Sequence, residues 1–129
     1  MLVLDASVIA PAVADGGPDG IRYRQRLHGE QIAAPALLRV EVLSVVRRQL
    51  HVGTLDNTQA EQAVTDLLDL PITVYPTAPL LLRSWQLRDN LTAYDACYIA
   101  LAETLDCGFL TADNRLSRAP GTRCPIEVI

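Results

Sequence analysis

A run of three apolar residues, Leu2-Val3-Leu4, stops abruptly at the carboxylate of Asp5, and a helix-like segment follows at once. A short apolar run that leads straight into a helix reads as a buried strand of a parallel sheet. That constrains everything after it, because parallel neighbours are joined by crossover segments, usually helices. Asp5 then stands where the strand leaves the sheet at its carboxyl end, the edge at which open α/β sheets place their ligands. A plainer account also holds: Asp5 or Ser7 caps the helix that follows.

The rest of the chain repeats the alternation. Ser7 to Ala14 reads as a short helix stopped by Asp15-Gly16-Gly17-Pro18, a loop signal. Pro18 opens a second helix to His28, ended by Gly29. Gln31 to Ala34 is a strand or extended link, after which Pro35 opens a long helix to about Val52, with Gly53 as its stop. Thr58-Gln59-Ala60-Glu61 has the form of a capping box for a helix running to Leu70. Pro71 to Tyr75 is rich in β-branched residues and reads as a strand. Thr77 caps a helix to about Asn90 whose core side carries Leu81 and Trp85, and Thr92 starts another to Leu105. Cys107 to Thr111 is a second apolar strand, Arg115 to Arg118 a short turn or helix, and Pro125 to Ile129 a closing strand. The expected architecture is an α/β/α sandwich around a mainly parallel central sheet, in a single domain over residues 1–129.

Composition removes several classes. Apolar runs are too short to cross a bilayer, and the N-terminus lacks the basic leader of a signal peptide, so a soluble cytoplasmic chain is expected. Cys97, Cys107 and Cys124 form no CxxC pair and read as reduced, buried thiols rather than a disulfide framework or a zinc site. His28 and His51 are isolated and flank helix ends. A net charge of −4 gives no general basic footprint for nucleic acid. All 11 basic residues are arginine, whose planar fork suits phosphate, and any mechanism that needs a lysine is excluded.

Four acids carry the chemistry. Asp5 and Asp113 each follow an apolar strand, and those strands are expected side by side. Asp95 lies in the first turn of the helix leading into the second of them, at the third position after Thr92, where a capping carboxylate is also expected. Asp113 can equally cap the small helix beginning at Asn114. Glu41 sits in Ala36 to Val46, a segment apolar nearly all round and therefore expected to be buried on more than one side. Such a carboxylate needs a partner: an arginine, Arg39 or one further away, or a metal ion. Gathered at one sheet edge, four carboxylates raise one another's pKa values unless cations neutralise them. Oxygen-only ligands favour Mg²⁺ or Mn²⁺ over zinc. Ser7 and Thr111, each two residues from a cluster aspartate, are placed to hydrogen-bond a carboxylate or a water beside it.

The ordered set Leu4-Asp5-Ala6-Ser7, Glu41 in an apolar helix, Leu91-Thr92-Ala93-Tyr94-Asp95-Ala96 and Leu110-Thr111-Ala112-Asp113-Asn114 resembles the PIN-domain ribonucleases. More narrowly, it is similar to the toxin half of VapBC toxin–antitoxin pairs, and the resemblance covers the whole chain. It implies an acidic quartet of Asp5, Glu41, Asp95 and Asp113, supported by Ser7 and Thr111. It also implies cytoplasmic RNA cleavage with Mg²⁺ (Mn²⁺ as a substitute), homodimerisation and inhibition by a cognate antitoxin.

On that basis Asp5 is the expected central ligand, Glu41 and Asp95 complete its site, and Asp113 completes a second site or orients a water. The expected products carry a 5′-phosphate and a 3′-hydroxyl. Arg115, Arg118 and Arg123 are the first candidates for RNA contact, and the Arg22 to Arg26 group the second. The apolar excess from Leu37 to Val46 and from Leu80 to Trp85 reads as ordinary burial or as a docking or dimer surface. Two other function classes stay open from the residues: a non-catalytic binding or scaffold module, and a metal-dependent DNA nuclease or phosphotransfer domain. The missing lysine and the absent aspartate-x-aspartate pattern weigh against phosphotransfer.

Overall fold

β1 (Leu2–Leu4) runs down the middle of a five-stranded sheet, as three consecutive apolar residues require, and is buried along its whole length. The computed structural model describes every residue from Met1 to Ile129. From β1 the chain steps outward to β2 (Ile32–Pro35) and β3 (Ile72–Tyr75), then returns across β1 to β4 (Gly108–Thr111) and β5 (Ile126–Val128). The order is β3-β2-β1-β4-β5, and every pairing is parallel. Val3 faces Ala33 on one side and Phe109 on the other. The direction of travel reverses between β1 and β4, so their carboxyl ends flank the crevice that such a reversal opens.

Helices cover the sheet. α1 (Ala6–Ala14) packs on α2 (Pro18–Leu27), α3 (Leu38–His51) and α4 (Asn57–Asp69). α6 (Ala93–Thr104) lies over β1, β2 and β4 and meets α5 (Leu81–Gln86). Seven consecutive α6 residues, Ala96 to Ala102, are buried, which makes this helix the inner wall of the core. α3 ends as expected: Gly53 follows it at φ +84°, a conformation only glycine adopts without strain. The three cysteines are free thiols, Cys97 buried and the other two half-buried.

Five expectations from the sequence are corrected. Pro35 ends β2 instead of opening α3, pairing with Tyr75 at a position where its missing N–H costs nothing. The capping box of α4 is Asp56 with Gln59, not Thr58 with Glu61: Gln59 N donates to Asp56 Oδ1 (2.8 Å) and Asp56 N to Gln59 Oε1 (2.9 Å). Asp56 comes first and starts the helix two residues earlier, leaving Thr58 inside it.

The Thr77 to Asn90 helix is broken. Thr77 makes no side-chain cap, a 3₁₀ turn spans Ala78–Leu80, and α5 covers only Leu81–Gln86. The core takes Leu80, Ser84 and Leu87, one stripe at spacings of four and three, so Leu81 and Trp85 face outward (54 and 66 % exposed). Ser84 enters the core because its hydroxyl is satisfied by the Leu80 carbonyl (2.8 Å). Likewise α3 is buried on one side only, through Leu38, Val42 and Val46, while Val40 and Leu43 are exposed. The apolar excess on both helices is therefore surface, not core.

Candidate active site

Asp5 is the most enclosed acid of the chain, 6 % exposed at the carboxyl end of β1. It is both a cap and a site residue, since Oδ1 accepts the Ser7 N–H (3.0 Å) and so starts α1. The Ser7 hydroxyl also donates to Oδ1, and the buried Thr111 hydroxyl, from the end of β4, donates to Oδ2 (2.7 Å). Ser7 Oγ in turn accepts the Ala112 N–H (2.9 Å), and Thr111 Oγ1 accepts that of Asp113 (3.1 Å). Ser7 and Thr111 thus lock the first strand to the turn after β4. Burial pushes the Asp5 carboxyl above its ordinary range. The two hydroxyls pull it back, and the Asp95 charge pushes it further up.

Glu41 reaches the same edge from the first turn of α3. No arginine pairs with it. Arg39 points away and donates to the Leu70 carbonyl (3.4 Å), and the partner of Glu41 is instead the Tyr98 hydroxyl, 2.6 Å from Oε1. Burial raises the Glu41 carboxyl, the Tyr98 hydrogen bond opposes the rise, and the charges of Asp95 and Asp5 add to it.

Asp95 stands in the first turn of α6, where Thr92 is the cap: Thr92 Oγ1 accepts the Asp95 N–H (3.1 Å). The capping is done by the threonine, which leaves the half-buried carboxylate to the crevice. Burial raises it, the Thr92 side chain pulls it back, Asp113 adds to the rise, and Arg115 opposes it.

Asp113 behaves differently. It caps the 3₁₀ turn Asn114–Arg118 through the Arg115 N–H (3.0 Å) and holds the Arg115 guanidinium in a two-point pair, Nε to Oδ1 at 3.0 Å and Nη2 to Oδ2 at 2.7 Å. That hydrogen bonding keeps its carboxyl below the usual range. Asp95, Asp113, Arg115 and Arg118 line one open cleft of about 370 Å³, with Leu116 as part of its floor. Two members of the second arginine group are committed elsewhere. Arg24 donates to the carbonyls of Ala12 and Asp15, and Arg26 pairs with Glu30 and Glu127.

The topology brings all four acids to one edge of the sheet, where Asp95 is coupled by charge to the other three. As they stand, no three of these side chains close around a single point where an ion would sit. The donor set still fits a hard divalent cation: oxygen only, and for Asp5, Glu41 and Asp95 no directly paired cationic side chain. Tyr98 escaped the reading of the sequence. It sits in an apolar run that looks like core throughout, and its one signal was its position three residues after Asp95, on the same helix face.

Residues 2–121 match the PIN domain family model. Ribonuclease VapC9 of Mycobacterium tuberculosis is 38% identical over 129 residues, 100% of this chain and 98% of its own length. Among solved structures, the chain resembles VapC20 of Mycobacterium tuberculosis, a sarcin-ricin-loop-cleaving toxin, with a TM-score of 0.72 at 14% identity, over 95% of this chain and 97% of that one. It also resembles VapBC2 from Rickettsia felis, solved with a DNA fragment from its promoter, with a TM-score of 0.68 at 15% identity, over 98 and 97%.

Proposed function

The chain belongs to the PIN-domain family, and from that premise we propose that it is a divalent-cation-dependent endoribonuclease, the toxin member of a toxin–antitoxin pair. The observation that carries the proposal is the convergence of Asp5, Glu41 and Asp95 on one edge of the sheet, each carboxyl held above its ordinary range chiefly by burial. They are three acids at the topological switch point, coupled to one another and paired to no arginine. Structural ion pairs or caps alone do not leave such a set uncompensated.

In this reading Asp5 is the central ligand, pre-oriented by Ser7 and Thr111, and Glu41 and Asp95 complete the set. Asp113 holds a second position or orients the attacking water. A bound Mg²⁺ or Mn²⁺ supplies a Lewis acid that lowers the pKa of water and offsets phosphate charge. Arg115 and Arg118, beside Asp95 and Asp113 in the same cleft, hold the RNA backbone that an acidic pocket would otherwise repel. The resemblance to VapBC2 from Rickettsia felis supports an antitoxin partner. The outward apolar side chains Val40, Leu43, Leu81, Leu82 and Trp85 offer surface for it and for a second copy in a homodimer. No helix is long and apolar enough to cross a membrane. We place the activity in one domain, residues 1–129, acting in the cytoplasm.

Purified protein incubated with labelled total RNA is expected to leave 5′-phosphate ends when Mg²⁺ is present and none when it is chelated. A DNA substrate of the same sequence should stay intact. Metal-independent cutting, or no cutting of RNA at all, overturns the proposal.

A further inference from the structure

Tyr98 is the largest fully buried side chain of the core, 1 % exposed, and its ring stacks on Phe109 of β4 at 6.1 Å between centroids and 23° between planes. A phenylalanine would fill that space as well. A hydroxyl taken into the core costs free energy unless it is hydrogen-bonded, and the bond it makes here is the one to Glu41 Oε1. The apolar packing therefore gives no reason for the hydroxyl. The carboxylate does.

Two features make this contact more than a filled hydrogen bond. First, it ties together two acid-bearing helices: Glu41 stands on α3, while Tyr98 and Asp95 share one face of α6, three residues apart. The separation of Glu41 from Asp95 is thus held through the phenol. Second, a phenol donates a hydrogen bond without cancelling charge. An arginine in its place would orient Glu41 equally well but would neutralise it and compete with a cation. With Oε1 committed to Tyr98, Oε2 is left for a ligand.

We propose that Tyr98 is a positioning residue, whose hydroxyl fixes the Glu41 carboxylate, still charged, for a divalent cation shared with Asp5 and Asp95. The inference rests on the reading of those three acids as the cation site and adds the device that sets the place of one of them. It gives α6 two duties at one end, supplying one acid and steering another.

Tyr98→Phe keeps the ring and removes the bond. Calorimetric titration with Mn²⁺ alone should show affinity reduced about ten- to a hundredfold, the usual cost of removing a group that orients a metal-binding side chain. RNA cleavage should recover most of its rate once Mn²⁺ saturates the variant. Glu41→Asp, which keeps the charge but draws it back from the hydroxyl, should show a similar loss. In a Glu41→Ala background, Tyr98→Phe should cost nothing further, because its effect passes through Glu41. Unchanged Mn²⁺ affinity in Tyr98→Phe, or losses that simply add in the double variant, would overturn the role of Tyr98 while leaving the site reading intact. If the unaltered protein binds no Mn²⁺, the site reading itself falls, and this inference with it.

Discussion

Asp5 and Asp113 follow neighbouring parallel strands by one and two residues, yet their surroundings push them in opposite directions. Asp5 is enclosed, accepts hydrogen bonds only from uncharged donors, and has its carboxyl raised by burial. Asp113 is half-exposed, grips an arginine, and has its carboxyl lowered. Glu41 and Asp95 side with Asp5. In the proposed site, therefore, three acids lack a cationic partner and the fourth has one. An uncompensated buried charge is costly, so the first group costs stability that binding must repay. The fourth acid costs little and belongs to the rim.

Asp5→Asn breaks that contrast most strongly. The amide keeps the size of the side chain and can still accept from Ser7, but it removes the charge. Cleavage of RNA in Mg²⁺ should fall by about a hundred- to a thousandfold, the scale on which loss of a single electrostatic contributor is felt. The melting temperature of the metal-free variant should rise by a few degrees, since a disfavoured charge has gone. Lost activity together with raised stability marks a functional carboxylate; lost activity together with lost stability would make Asp5 a structural cap. Cleavage assays and thermal melts on the same preparation decide between them.

The next effect is on stability against pH. In the folded, metal-free protein Asp5, Glu41 and Asp95 keep their protons to higher pH than they do unfolded. The folded state then binds more protons, and stability falls as pH rises. Their contribution is most favourable below the ordinary carboxylate range, near pH 4, and declines as pH climbs through the raised values. The Asp113–Arg115 pair has the opposite sign: its contribution is present above that range and is lost on acidification, and its exposure keeps it small. Melting temperatures in chelator should therefore drift downward from mildly acidic to neutral pH. Millimolar Mg²⁺ should flatten or reverse the drift, because a cation that binds the ionised site stabilises the folded chain by mass action. A flat profile in chelator would mean that the three acids are not strained by their neighbours.

The sheet and its acids were legible from sequence because both depend on short, strong signals: apolar runs ending in aspartate at Leu2–Leu4 and Phe109–Thr111, and a threonine cap before Asp95. Places where two local rules compete were not legible. Asp56 and Thr58 are both good caps, and only the start of α4 says which is used. Leu81 and Trp85 are apolar enough for a core already filled by Leu80, Ser84 and Leu87. The same blindness hid Tyr98, which stands where an arginine or a metal ion was expected beside Glu41, because a contact between residues 57 apart leaves no local pattern. Sequence put the four acids at one edge. It carried no sign that one of them is already paired.

The smallest effect tests that last point. Arg115 is exposed and joined to Asp113, so its removal should leave the melting temperature unchanged within measurement. What changes is the charge at the mouth of the cleft, where Asp113 loses its partner and the RNA backbone loses a guanidinium. Arg115→Ala should cut RNA about tenfold more slowly at moderate salt, and the logarithm of its rate should fall less steeply with log salt, the slope shrinking by about one for one lost phosphate contact. The opposite result is equally readable. Faster cutting with an unchanged slope would mean that Arg115 occupies Asp113 in competition with a cation, so that the pair restrains the site. Measured beside Asp5→Asn, the variant separates an acid proposed to do the chemistry from one proposed to hold the residue that meets the substrate.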